Sequence, residues 1–187
     1  MKLVLKPLDI VVGLKAHLWK ADSSWSFERI AASIGITASQ AHTSLRRLGA
    51  AGLYRPQDRS LRTHAFRLFA EHGIPFAFPA SPAGDVLGMP TSHSAPPLRD
   101  RLASVETFVW PAPEGVLGRA VLPLDPRVPR AAAIDEALYR ALALLDAFRV
   151  GRARDRAVAR EELDRLLEGA GRDGAWLAAQ RTAGLAS

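Results

Sequence analysis

GITASQAHTSLRRLGAAGL, residues Gly35 to Leu53, sets two threonines, two serines, a glutamine, a histidine and two arginines around a thin apolar thread. Thr37 to Gln40 reads T-A-S-Q, a capping box. In it Thr37 accepts the Gln40 amide and Gln40 reaches back to the amide of Thr37. The spacing predicts a helix from Thr37 to about Ala50, ended by Gly52. On its wheel Ala41, Leu45 and Leu48 turn inward. Ser39, Gln40, His42, Thr43, Arg46 and Arg47 spread over the outward side. Small hydrogen-bonding groups come first and cations follow a turn later. A helix in the major groove needs that order, because early residues reach base edges and later arginines reach phosphates.

Working outward, the stretch before Gly35 predicts a second helix. Ser26 serves as its N-cap, and Glu28 favours its positive end. Phe27, Ile30, Ala31 and Ile34 make its apolar face, and Gly35 stops it in a left-handed conformation. Earlier still, Leu8, Val11, Val12, Leu18 and Trp19 recur at helical spacing, giving a helix from about Pro7 to Lys20. Two helices joined by a short turn containing glycine form the helix-turn-helix pattern. Charge supports a polyanion partner. Residues 1–72 hold eleven lysines and arginines against five carboxylates, a net of +6, and the remaining residues hold fourteen of each sign. A basic module on a neutral remainder suggests a polyanion partner for the first part, and a solvated charged surface would give the same balance.

FERIAASIGITASQAHTSLRRLGAAGLY resembles the helix-turn-helix core of bacterial winged-helix transcription regulators, the MarR-like group. The shared features are Ala31 and Ala32, Gly35 at the turn, Ile36 after it, Ser39 and Ala41, and the run from Leu45 through Leu48 to Gly52 and Leu53. The resemblance covers about residues 7–55. It implies a winged-helix domain and DNA binding by the second helix of the motif. It departs from the family after Tyr54, where no clear wing hairpin is legible. There Arg59, Arg62 and Arg67 offer phosphate contacts instead.

Downstream, Leu53 and Tyr54 begin a short strand, and Leu61, Ala65, Leu68 and Phe69 fit a fourth helix. Eleven of the thirteen prolines fall between Ile74 and Pro129, which excludes long helices there. Val105–Trp110 and Val116–Leu122 read as strands around the turn PAPEG, and Ile74–Phe78 is a third candidate. After Pro129 a stripe of Ile134, Leu138, Leu142, Leu145 and Phe148 predicts a helix apolar on most sides, buried or dimeric. Arg152–Glu168 is amphipathic, with Val158, Leu163, Leu166 and Leu167 inward and Glu161–Arg165 at supportive spacing. Trp176 and Leu177 are candidates to dock near the end of the chain. The stretch Ala137–Leu163 faintly resembles helices of regulators encoded beside nucleotidyltransferase-like toxins.

The fold class expected is α+β, mainly α. The organisation expected is a helix-turn-helix domain over 1–72, a proline-rich segment with short strands over 73–130, and a C-terminal helical region over 131–187 for dimerisation or partner contact. Cysteine is absent. That excludes disulfides, thiolate metal sites and a cysteine nucleophile, and it fits a cytoplasmic location. MKLVLKPLDI lacks the apolar core and cleavage site of a signal peptide, and no stretch has membrane-spanning length.

Enzyme signals are poor. GAGRDG, residues 169–174, matches a dinucleotide fingerprint but follows a helix with no βαβ unit around it. The five histidines show no ligand spacing, so no metal or cofactor is expected. Asp85, Ser92 and His93, near the segment GMPTSHSAPPL, can be written as a nucleophile group, but any similar loop allows that. The reading is a sequence-specific regulator, not an enzyme, that binds double-stranded DNA as a homodimer on a pseudo-palindromic site. Its DNA-binding residues are Ser39, Gln40, His42, Thr43, Arg46, Arg47, Arg59 and Arg62, and no membrane is involved. The alternative is a winged-helix module, such as an antitoxin or adaptor, that binds the product of a neighbouring gene.

Overall fold

The computed structural model describes residues 4–169. Three helices open the chain: α1 Pro7–Leu18, α2 Phe27–Ile34 and α3 Ala38–Ala50. Each local signal operates as the sequence implies. The Ser26 side chain accepts the Arg29 amide, and Gly35 takes φ +79 to end α2. Thr37 and Gln40 complete the capping box of α3, with bonds of 2.9 and 3.2 Å.

A short hairpin follows α3. Its strands are β1 Tyr54–Arg55 and β2 Ser60–Leu61, paired antiparallel as Tyr54 with Leu61 and Arg55 with Ser60. The sequence reading missed β2 and placed Leu61 in a helix. Arg59 at φ +52 turns the chain back, and Leu61 becomes a buried strand residue. Helix α4 then starts at Thr63 and ends at His72.

The next element corrects a second expectation. Ile74–Phe78 does not extend as a strand, because Ile74–Ala77 forms the short helix α5. Pro75 lies in its first turn, where a missing N–H costs nothing, and Ile74 faces the core. The proline-rich segment holds three strands: β3 Asp85–Pro90, β4 Phe108–Pro111 and β5 Val116–Ala120. β3 pairs antiparallel with both others, and β4 pairs parallel with β5, closing a three-stranded barrel. So tight a closure needs backbones without side chains between them. A Cβ on Gly88 would collide with the Trp110 carbonyl, and Gly115, at φ +135, abuts the Gly88 backbone.

Helices α6 Val128–Ala133, α7 Glu136–Val150 and α8 Ala153–Gly169 complete the described fold, which is α+β and mainly helical. Ile134 lies outside α7 and is exposed, because the chain breaks there before Asp135 caps α7 by accepting the Leu138 amide. Every residue of α7 from Ala141 to Arg149 is buried, and α1, α4, α5, α6 and α8 pack around it. Its all-round apolarity therefore serves the interior of this chain and offers no dimer surface.

The three stretches expected as separate units share one core. It runs from Ile10 in α1 through Leu48, Leu98 and Trp110 to Phe148 and Leu167. Helix α1 is the link, packing on α3, β2 and α7 and buried from Asp9 to Leu18. Three polar side chains on α1 find partners in that core. Asp9 holds Arg47 of α3 and Lys15 pairs with Asp135 at the start of α7. His17 accepts the Leu61 amide at Nδ1 (3.1 Å), so its Nε2–H donates to the Leu167 carbonyl (3.0 Å). Burial lowers the His17 pKa to about 4 and keeps the ring neutral. Trp176 and Leu177, expected to dock, lie outside the described residues, as does most of GAGRDG.

Candidate nucleic-acid interface

Helix α3 is anchored from below and open above. Ala41, Ser44, Leu45 and Leu48 are buried against the core. Ser39, Gln40, His42 and Arg46 are exposed, and Thr43 is half-buried. At a spacing of three to four residues, Ser39, His42, Thr43 and Arg46 share one side of the helix. Gln40 has a divided role. Its carbonyl oxygen accepts the Thr37 amide in the capping box, while the NH₂ end of the same amide carries the donors a base edge needs.

Adjacent arginines part company. Arg46 is exposed and has no carboxylate partner among the described residues. Arg47 turns inward. Its Nε donates to Asp9 at 2.7 Å and its terminal nitrogen to the other oxygen at 2.5 Å, a bidentate pair with a fully buried carboxylate. The same nitrogen lies 3.3 Å from the buried Ser44 hydroxyl. The pair raises the Arg47 pKa further, chiefly through its hydrogen bonds to Asp9. The Arg47 fork is thus spent on joining α3 to α1, and the geometry leaves it out of a contact surface.

Beside α3 lies a cleft of about 450 Å³. Trp25 and Phe27 form one wall, ahead of and at the start of α2. His42, Leu45, Arg46, Gly49 and Ala50 of α3 form the second, and Tyr54, Pro56 and Arg59 of the hairpin form the third. The rings meet edge to face, Trp25 with Phe27 and Phe27 with His42, each at 5.2 Å between centroids. The Arg59 guanidinium sits over Trp25, 4.6 Å from the ring centroid. The Trp25 N–H donates to the Ala16 carbonyl at 3.2 Å, fixing the indole on α1. Burial raises the Tyr54 pKa to about 12, so its phenol stays neutral.

The structure thus brings His42, Arg46 and Arg59 together around one opening, with Ser39 and Gln40 ahead of them on α3 and Thr43 next to His42. Arg62 is exposed just before α4 and does not line the cleft. Arg67 pairs with Asp164 of α8 at 3.4 Å. The aromatic wall is what the sequence reading missed. Phe27 was assigned only to the core, and Trp25 to nothing. Their one sequence signal is two aromatics flanking the N-cap serine in W-S-F.

The nucleophile group does not assemble. Asp85 is exposed at the start of β3, whereas Ser92 and His93 are buried past its other end. His93 donates from Nε2 to the Glu106 carbonyl at 2.8 Å. Among the described residues no cluster of three potential metal ligands forms, and no helix is long and apolar enough to cross a membrane. No protein-family model matches the chain, and no match exists among the curated proteins or the solved structures compared with it.

Proposed function

We propose that the chain is a sequence-specific DNA-binding regulator of winged-helix type, reading duplex DNA with the outer face of α3. One observation carries the reading. Among the described residues, Ser39, the Gln40 NH₂, His42 and Arg46 hold unspent hydrogen-bonding groups along that face, and no carboxylate lines the cleft beside them. The β1–β2 hairpin follows α3 at the place of a wing, though each strand is only two residues long. The reading includes a homodimer, because a pseudo-palindromic site needs two copies of α3. With α7 buried, the apolar surface left for such a contact includes Leu87 and Leu117, exposed partners across β3 and β5.

The test is fluorescence anisotropy against the DNA upstream of the chain's own gene and against a scrambled duplex, at several salt concentrations. Tight binding to the first with a steep negative salt slope is expected. Arg46→Ala should weaken binding to all sequences and reduce the slope by about 1. An unchanged affinity in Arg46→Ala and in an Arg46/Arg59 double variant rejects the assignment of α3.

The apolar floor of the cleft favours a second reading, a protein-binding module whose partner is a neighbouring gene product. It expects little salt-dependent DNA affinity and a stable complex with that partner.

A further inference from the structure

We infer that the cleft between α2, α3 and the hairpin receives an unstacked base of single-stranded nucleic acid, a strand of RNA or of melted DNA. The duplex reading uses the outer face of α3 and leaves the aromatic wall without a task. A duplex keeps its bases stacked on one another, so their flat faces never reach Trp25 or Phe27. A single strand can turn a base out, and such bases are held by stacking on aromatic rings and on arginine planes. The cleft, about 450 Å³, has room for one base with its sugar.

Its chemistry matches that ligand twice over. Trp25 and Phe27 supply rings, and Arg59 already lies over Trp25 at 4.6 Å from the ring centroid, itself exposed. A base arriving on the outer side of that guanidinium adds a third layer to the stack. The edge N–H groups of Arg59 then stay open to a phosphate. Arg46 brings a second cation from the α3 wall, so the phosphates on either side of the base have one each. No carboxylate lines the cleft, and Asp58 of the hairpin is paired with Arg55 at 3.1 Å. A neutral ring would leave both cations unused, and a bare backbone would leave the rings uncovered.

Gly49 gives the means to test the site without disturbing its charges. A Cβ there meets nothing nearer than the Tyr54 carbonyl oxygen at 3.9 Å, so a larger side chain grows into the cleft. The inference goes beyond the duplex reading and does not need it, because Trp25 and Phe27 lie off the α3 face proposed for base edges.

The experiment is fluorescence anisotropy of the full chain at low salt with three labelled strands of about ten nucleotides, a length within the range one single-strand module covers. They are oligothymidylate, oligouridylate, and a strand of abasic sugars with the same phosphates. Expected is binding of at least one base-bearing strand at least tenfold tighter than the abasic strand. Tighter binding of oligouridylate names RNA as the source, and tighter binding of oligothymidylate names DNA. Gly49→Leu should bring both down to the abasic level, and Gly49→Ala should retain the difference. Trp25→Ala should weaken the base-bearing strands about tenfold and leave the abasic strand unchanged. Three results overturn the inference: no binding of either base-bearing strand, equal binding of the abasic strand, or full binding in folded Gly49→Leu and Trp25→Ala. Duplex affinity is measured on the same samples. Single-strand binding by a chain with no duplex affinity overturns the duplex reading alone, and duplex binding with no preference for bases over the abasic strand overturns this inference alone.

Discussion

The outer face of α3 and the joint between α7 and the barrel use polar side chains, an arginine in each, to opposite ends. On α3, Ser39, His42 and Arg46 stand exposed, with no side-chain hydrogen bond among the described residues. At the joint, Asp146 of α7 accepts from Thr91 (2.8 Å), Trp110 (2.5 Å) and Arg149 (2.6 Å). Arg149 also donates to the carbonyls of Phe78, Leu122 and Pro79 at 2.8, 3.0 and 3.4 Å. Burial pushes the Asp146 carboxyl up in pKa, and Arg149 and the neutral donors oppose it. A buried polar group must find its partners inside the protein, whereas an exposed one keeps them in reserve. Satisfied buried groups mark architecture here, and the exposed ones on α3 form the surface proposed for recognition.

The largest effect should come from breaking the joint. Arg149→Ala leaves the Asp146 carboxylate buried without its countercharge and removes the donor from three carbonyls. The expected loss is about 3–5 kcal/mol, read as a lower urea midpoint. Material that still folds should bind the upstream duplex as before, since Arg149 is far from α3 in role and burial. A loss below about 1 kcal/mol would erase the contrast between the two regions.

The neighbouring arginines sharpen the same contrast within one helix. Arg47→Ala should destabilise the fold by about 3 kcal/mol, because it strands the buried Asp9. Arg46→Ala should leave stability within about 0.5 kcal/mol and act only on binding. Thermal melts of both variants decide the matter, and equal melting points would refute the division.

The third effect is smaller and depends on pH. His17 has a folded pKa of about 4 against an ordinary 6.5, so in between the unfolded chain takes up a proton that the folded chain refuses. Stability contributed by the neutral ring is therefore full above about pH 6.5 and falls as pH drops towards 4. Between pH 7 and pH 5 the loss is about 2 kcal/mol. His17→Asn, which can keep one donor and one acceptor, should flatten that part of the pH profile. An identical slope in both proteins would show that other groups set it.

Much of the N-terminal half was legible because its signals are local. A capping box, an N-cap serine and a left-handed glycine act within four residues, so Ser26, Gly35, Thr37 and Gln40 could be placed from spacing alone. The hairpin was not legible, since two-residue strands have no periodicity to read. Ile74–Phe78 looked like a strand because a short apolar run with a proline fits either state, and burial of Ile74 decided for a helix turn.

By itself the sequence determined the mainly helical α+β class, the limits of α2 and α3, and which side of α3 is polar, because these follow from nearest-neighbour chemistry and helical period. Only the tertiary structure decided that α7 is the centre of one shared core. It also decided that Arg47 belongs to Asp9, 38 residues away, while Arg46 stays exposed, and that Trp25, Phe27 and Arg59 enclose a cleft. Each of these depends on which groups the folded chain brings together from afar, and local spacing carries no record of that.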